Sequence, residues 1–283
     1  MKANRTFILI DREQSTKRRD WKIAHDAIYS AIRKCVWPEN TSDKLFTIPR
    51  ITKLKPGDTY TTLKGIKASW SDDAKNIRNG VLPLRQMFRR HLIGSLDWKE
   101  EEPLDLSEYF AVTRTNKDLE KIFLYPSGES LTDPLHEGVG EFDFWFQSKD
   151  GFRVVIEWET GNISSSHRSL NKMCLALMGG LVDAAVLIVP SDELRHHLTD
   201  RIGNTTELQP YFYFWQGVAP RIEKGLMAII EVEHDNLIKS TDLRDFIPSG
   251  KDGNARRGRN KLKREKKGTD PTLNRKKRTT KIS

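Results

Sequence analysis

Three acidic residues near the middle of the chain have the type and spacing for metal-assisted hydrolysis: Asp143, Glu157 and Glu159. Residues 152–158 (FRVVIEW) are β-branched and aromatic, without proline or glycine, which predicts a buried strand. Side chains alternate along a strand, so Glu157 and Glu159 point to one face. Residues 141–146 predict a second strand. Lys149-Asp150-Gly151 supplies the turn between them, glycine being free to take positive φ. A three-residue loop sets Asp143 opposite Glu157. Three carboxylates that close repel unless protons or a cation intervene. Hard divalent ions such as Mg²⁺ take such oxygen ligands, with water and substrate phosphate completing the shell. A basic helix start follows, so the cluster points to metal-dependent phosphodiester chemistry. The plainer alternative is the solvated face of an edge hairpin. The apolar flank Val154, Val155 and Ile156 weighs against it, because unpaired charge is rarely buried.

The next element is predicted to position a reader beside that site. Gly161-Asn162 ends the strand, and Ser164, Ser165 and Ser166 offer N-cap oxygens. Leu170, Met173, Cys174 and Leu177 make one helical stripe, which Gly179-Gly180 stops. His167 and Arg168 fall in the first turn on this reading, where the macrodipole disfavours cations. Arg168 is therefore better placed to meet an anion or a guanine edge than to steady the helix.

Composition bounds the rest. A chain of 283 residues with 37% hydrophobic side chains can build one large domain or two small ones. The net charge of +9 is unevenly spread. Residues 249–283 hold 14 Lys and Arg against 3 Asp and Glu, a net +11, which leaves the first 248 residues at −2. The expected organisation is a domain over 1–248 and a basic, disordered tail over 249–283, attracted to a polyanion such as nucleic acid. Cys35 and Cys174 sit in helical stripes and read as small buried hydrophobes of a reducing compartment. No Cys/His spacing suits zinc. Phe7-Ile8-Leu9-Ile10 is too short for a signal segment or a membrane span, so a cytoplasmic, soluble protein without a membrane partner is expected.

Along the chain, Ser15 is predicted to cap a helix through Val36 that Trp37-Pro38 ends. Residues 45–51 suggest a short strand, and 55–78 an irregular polar stretch. Val81-Leu82-Pro83-Leu84 leads into a helix through about Leu92; its Arg85, Arg89, Arg90 and His91 read as an ordinary solvated face. Glu100, Glu101 and Glu102 read as a solvated acidic run. Residues 106–140 look loosely organised, with a short helical piece near 115–124. Residues 183–190 (DAAVLIVP) are a continuous apolar run, a buried strand parallel to its neighbours. Ser191 starts a helix through Leu194 and Leu198 to Ile202, a turn or short helix follows over 205–211, and 226–232 is a further strand. Buried strands alternating with helices imply an α/β fold, a mixed central β-sheet flanked by helices on both faces. There is no dinucleotide fingerprint, and a Ser165–His167–Asp143 triad lacks a nucleophile elbow.

The hairpin carrying Asp143 and Glu157-Trp158-Glu159 resembles the PD-(D/E)xK nuclease superfamily, in the variant with glutamate in place of the usual lysine. IEWETGNISSSHRSLNK (156–172) and HLTDRIGNTTELQPYF (197–212) narrow the resemblance to type II restriction endonucleases. NGVLPL (79–84), EPLD (102–105) and IPSGKDG (247–253) support it more weakly. It runs from about residue 15 to 257 and is dense over 142–212.

The resemblance implies a restriction-endonuclease-like core, Mg²⁺ dependence, and a homodimer acting on double-stranded DNA. A cognate methyltransferase is expected in the same system, though not as a complex. Asp143 and Glu157 would be metal ligands, with Glu101 a further acidic member through the adjoining EPLD match. Glu159 would take the place of the lysine as general base or second metal contact. Asn162, Ser164, Arg168, Asp200 and Arg201 would read base edges in the major groove. Gly253 would make a minor-groove backbone contact with Asn254 beside it, although Asn254 departs from the apolar residue of that pattern. The chemistry is coherent, since Arg grips guanine bidentately, Asn pairs with adenine and Asp accepts from the cytosine amine. The implied site is the palindrome GGATCC, read by a two-fold dimer. Another nuclease of the superfamily acting on repair or junction substrates, or a non-catalytic DNA-binding protein, are the alternatives.

Overall fold

The computed structural model describes residues 1–39, 41–105, 126–128, 138–199 and 202–248. The compact body spans Met1 to Pro248. Its frame is a six-stranded mixed sheet whose central strands are apolar on both faces. β1 (Lys2–Arg12) is followed by α1 (Arg19–Lys34), β2 (Thr47–Pro49) and four short strands: β3 (Thr52–Leu54), β4 (Thr59–Thr61), β5 (Lys67–Ser69) and β6 (Lys75–Ile77). Next come α2 (Leu82–Ile93), β7 (Lys99–Asp105), β8 (Gly138–Gln147), β9 (Arg153–Trp158) and α3 (Ile163–Met178). β10 (Ala184–Pro190), α4 (Asp192–His196), α5 (Thr205–Leu208), α6 (Phe212–Gln216), β11 (Gly225–Glu233) and β12 (Asn236–Ile238) complete the body.

The sheet order is β1-β11-β10-β9-β8-β7. β9, β10 and β11 run parallel, while β1, β8 and β7 join antiparallel. Every residue of β10 and β11 is buried, as expected for parallel strands covered on both sides. β9 shows how two layers are built from one strand. Val154, Ile156 and Trp158 pack with Ile28, Ile32 and Phe88 of α1 and α2, while Val155 faces the layer of Leu170, Met173 and Leu177 of α3. Each such side chain contributes about 1.5–3 kcal/mol of transfer free energy when fully buried. Glu231 is fully buried within β11 and is satisfied by Arg5 at 2.8 Å, Asn4 at 2.7 Å and Thr205. The α/β frame predicted from the sequence is the one observed. Both cysteines are buried, and burial raises the Cys35 thiol pKa to about 12 and that of Cys174 to about 11. Among the described residues no helix is long and apolar enough to cross a membrane.

Several local expectations are corrected. Residues 2–12 form a full edge strand, an element to which the sequence reading assigned no structure. Ser15 does not cap α1; its hydroxyl donates to Arg12 O at 2.8 Å, and the helix begins at Arg19. The stretch 55–78 is not irregular: β3 pairs with β6 and β4 with β5. α4 stops at His196 instead of running to Ile202, because Leu198 turns to pair with Asn79 and Ile202 with Asn162. The loosely organised segment and helical piece expected within 106–140 lie largely outside the described residues, as does the tail 249–283.

Candidate active site

The site grows from the β8–β9 hairpin. Phe144 pairs with Ile156, Trp145 with Val155, Phe146 with Val154 and Gln147 with Arg153. The Ser148 N–H donates to Phe152 O at 2.9 Å, so the loop is Lys149 to Gly151, with Gly151 at φ 81°. One further step of this register sets Asp143 opposite Glu157. The Trp158 N–H donates to Asp143 Oδ2 at 2.8 Å, which fixes that carboxylate against the neighbouring strand. On the other side, β7 pairs Glu100 with Phe144 and Glu102 with Phe142, which brackets Glu101 opposite Asp143. Glu101 is exposed and lies at φ 53°. A non-glycine residue there costs of order 1–3 kcal/mol, a strain found mostly at functional sites.

Two cations neutralise this cluster, and neither is legible as a site residue in the sequence. Arg85 of α2 donates through Nη2 to Asp143 Oδ1 at 2.8 Å and lies 3.9 Å from Glu101 Oε1. Arg85 is thus more than part of a solvated helix face; its Nε is buried without a hydrogen-bond partner. Lys172 of α3 pairs with Glu157, donates to Glu141 O at 2.5 Å and lies 4.3 Å from the Phe142 ring centroid. The one available hint was a lysine between Leu170 and Met173, next to the apolar stripe of α3. Burial, with the nearby Asp143 adding to it, pushes Glu157 up to about 7, while Lys172 pulls the other way.

Glu159 has partners of its own. Its N–H donates to Ile188 O at 2.9 Å, which carries the β9–β10 ladder one residue past the strand end. The Gly161 N–H donates to Oε1 at 2.5 Å and the Ser166 hydroxyl to Oε2 at 2.5 Å. Burial raises its pKa, and those donors oppose the rise. The chain therefore brings Glu101, Asp143, Glu157 and Glu159 to one end of β7, β8 and β9. Among the described residues, however, no three acidic, His or Cys side chains converge as an ion cage. Arg85 and Lys172 occupy the places beside Asp143 and Glu157. The donor set still fits a hard divalent ion: two carboxylates on adjacent strands, a third opposite, and hydrogen-bonded support.

The helix start differs in one respect from the sequence reading. Asn162, not a serine, is the N-cap, its side chain accepting from Ser165 N–H at 3.2 Å. Arg168 is consequently the sixth residue of α3, beyond the first turn. Asn162, Ser164 and Arg168 are all exposed, with Ser164 and Arg168 four residues apart on one face. Asp200, Arg201, Gly253 and Asn254 lie outside the described residues. The chain flanking 200–201 is anchored at Leu198 by Asn79 and at Ile202 by Asn162. Gly203 is packed so tightly on Ser166 and Ile163 that a Cβ would overlap the Ser166 side chain.

Comparison with known proteins agrees with this geometry. The profile of the family described as "Restriction endonuclease BamHI" matches residues 1–254. The type II restriction enzyme OkrAI of Oceanobacter kriegii is 44% identical over 105 residues, 37% of this chain and 52% of that enzyme, so the match spans about half the length of that relative. The type II restriction enzyme BamHI of Bacillus amyloliquefaciens is 28% identical over 264 residues, 93% of this chain and 97% of the enzyme. Fold, hairpin and these relatives together define the class, the type II restriction endonucleases. Within that class, the chain belongs to the restriction endonuclease BamHI family. Among solved structures, restriction endonuclease BglII complexed with a DNA 16-mer aligns over 82% of this chain and 77% of its own, at 9% identity and a TM-score of 0.41.

Proposed function

We propose that the chain is a homodimeric, Mg²⁺-dependent endonuclease that cuts double-stranded DNA at GGATCC. The observation that carries this reading is the direct succession, within 30 residues, of Asp143, Glu157 and Glu159 on one hairpin and the exposed Asn162, Ser164 and Arg168. Hydrolysing and base-reading groups then lie on consecutive elements, the β8–β9 hairpin and the start of α3. Asp143 and Glu157 would hold the ion, with Glu101 beside them. Bound Mg²⁺ supplies positive charge at the scissile phosphate and acidifies a water. Glu159, its oxygens positioned by Ser166 and Gly161, is the proton acceptor for the attacking water; each carboxylate oxygen keeps a free lone pair beyond those bonds. The water oxygen bonds to phosphorus in line as the bond to the 3′ oxygen breaks; the departing oxygen takes a proton from solvent water, leaving a 3′-hydroxyl and a 5′-phosphate. Arg168 and Arg201 grip guanines, Asp200 accepts from a cytosine amine and Asn162 uses its amide N–H groups, the oxygen being engaged as the cap. Gly253 and Asn254 are assigned to the adjoining minor groove, and the tail to non-specific attraction.

A palindrome calls for two subunits. Tyr211, Tyr213 and Phe214 form an aromatic surface at α6, with Tyr213 84% and Phe214 69% exposed. Contiguous exposed aromatics mark association surfaces. Tyr213→Asp with Phe214→Asp is expected to halve the sedimenting mass and to abolish coordinated double-strand cutting; an unchanged mass would place the dimer contact elsewhere. Such an enzyme acts in the cytoplasm beside a methyltransferase that protects the host's own sites.

The deciding experiment digests a plasmid of known sequence with Mg²⁺ and with EDTA, followed by sequencing of the fragment ends. Mg²⁺-dependent ends at GGATCC are expected. Cutting at another fixed sequence would overturn the base assignments, and no cutting of any duplex would overturn the reading as a whole.

A further inference from the structure

We infer that residues 52–77 form a DNA-gripping arm that holds the phosphodiester backbone outside the recognised hexamer, an inference that rests on the nuclease reading above. The segment is one continuous ribbon. Thr52–Leu54 pairs with Lys75–Ile77 at the root, and Thr59–Thr61 pairs with Lys67–Ser69 further out. Between them the Gly57 N–H donates to Trp70 O at 2.9 Å and the Trp70 N–H to Asp58 O at 2.8 Å. Tyr60 and Trp70 meet edge to face at 5.4 Å. The end is closed at Gly65, whose φ of 80° suits only glycine without strain.

Its surface is unlike the rest of the body. Residues 50–78 carry seven Lys and Arg against three Asp, a net +4, in a body of net charge −2. Lys53, Lys55, Lys64, Lys67 and Lys75 are all exposed, and none has a carboxylate partner among the described residues. At the tip Leu63 is 70% exposed and Ile66 61% exposed, each beside a lysine. A mixed apolar and cationic tip suits the sugar–phosphate surface of a duplex, where lysine ammoniums release counterions and apolar atoms meet deoxyribose.

The arm is held at both ends, and its root is held by segments next to those assigned to DNA. The root residue Asn79 is fully buried. Its N–H donates to His197 O at 2.9 Å, its carbonyl accepts from Thr199 N–H at 2.6 Å, and its Oδ1 accepts from Ile247 N–H at 3.1 Å. The outer ladder is pinned by Thr61 N–H to Thr241 O at 3.1 Å and Leu243 N–H to Thr61 O at 2.9 Å. Thr199 immediately precedes Asp200, and Ile247 stands six residues before Gly253.

The test uses full-length protein and Lys64→Glu/Lys67→Glu, both sites being exposed and outside the core. Binding is followed by fluorescence anisotropy across a salt series, on a duplex of about 12 base pairs centred on GGATCC and on one of about 30 base pairs. The variant is expected to bind the long duplex about tenfold more weakly, with the slope of log K against log salt shallower by about 2 per subunit. Binding to the short duplex should match wild type. Equal binding and equal slope on both lengths would overturn the arm. So would an altered sedimentation with DNA affinity intact, which would make the arm a protein contact. Wild-type protein that fails to prefer GGATCC over a scrambled duplex overturns the hexamer reading alone, and the slope on the long duplex still decides the arm.

Discussion

Replacing Glu157 with alanine is expected to lower the cleavage rate by about 10³-fold or more while sequence-specific binding persists. Glu157 opposes Asp143 across the hairpin, and its removal takes away half of the paired carboxylates that would hold the ion. Glu157→Gln keeps the shape and should lose cleavage equally. Cutting at the wild-type rate by either variant would remove the carboxylate pair from the mechanism. The same group sets a pH dependence. Burial and Asp143 push Glu157 up to about 7, and a metal ligand must be deprotonated. Calcium affinity measured by calorimetry should therefore tighten about tenfold between pH 6 and pH 8, and Glu157→Gln should abolish that dependence. Stability moves the opposite way. An acid whose folded pKa is raised stabilises the fold below its unfolded value and loses that contribution as pH rises through the folded value. The metal-free protein should thus weaken from about pH 5 to about pH 7, more steeply than Glu157→Gln.

Lys172→Met is expected to destabilise the metal-free protein by about 3 kcal/mol in urea unfolding at about pH 8 with EDTA present. The ammonium has 10% of its side chain exposed and its partner Glu157 13%, so screening is slight. Removing it leaves two carboxylates in a dry pocket with Arg85 as the remaining paired cation. Methionine keeps the stem against Phe142, so packing is largely conserved. The double variant Lys172→Met/Glu157→Gln should recover most of the loss, because the uncompensated charge is then gone. A double variant as unstable as Lys172→Met alone would show that the lysine acts by packing rather than by charge.

What could be read in advance follows from how locally each element is determined. β9, β10 and β11 are predominantly apolar runs on both faces, so no tertiary knowledge was needed to place them. The loop Lys149 to Gly151 fixed the hairpin register, and with it the opposition of Asp143 and Glu157. The ribbon 52–77 escaped because its strands are three residues long and polar, held by cross-strand bonds rather than by burial. α4 was overextended because Leu198 and Ile202 keep a helical spacing, yet their burial is satisfied by bridges to Asn79 and Asn162. Arg85 and Lys172 lie 58 and 15 residues from the acids they neutralise, and nothing local marks a helical cation as the counter-charge of a distant strand. The cap was misplaced among three serines because its identity depends on where extended backbone ends, at Asn162 with ψ 174°.

The Ser166 hydroxyl, which holds Glu159 from one side and is pressed by Gly203 on the other, makes fidelity multiplicative in this reading. Gly203 follows Asp200 and Arg201 in the chain, so if those side chains read bases as proposed, a duplex that fits them badly would strain the support of Glu159 as well. A wrong base pair then counts once as weakened binding and again as a slower chemical step. Two penalties of about 2 kcal/mol each would together give roughly a 10³-fold preference for the correct site. A one-base variant of the hexamer could be occupied for some time and still leave intact.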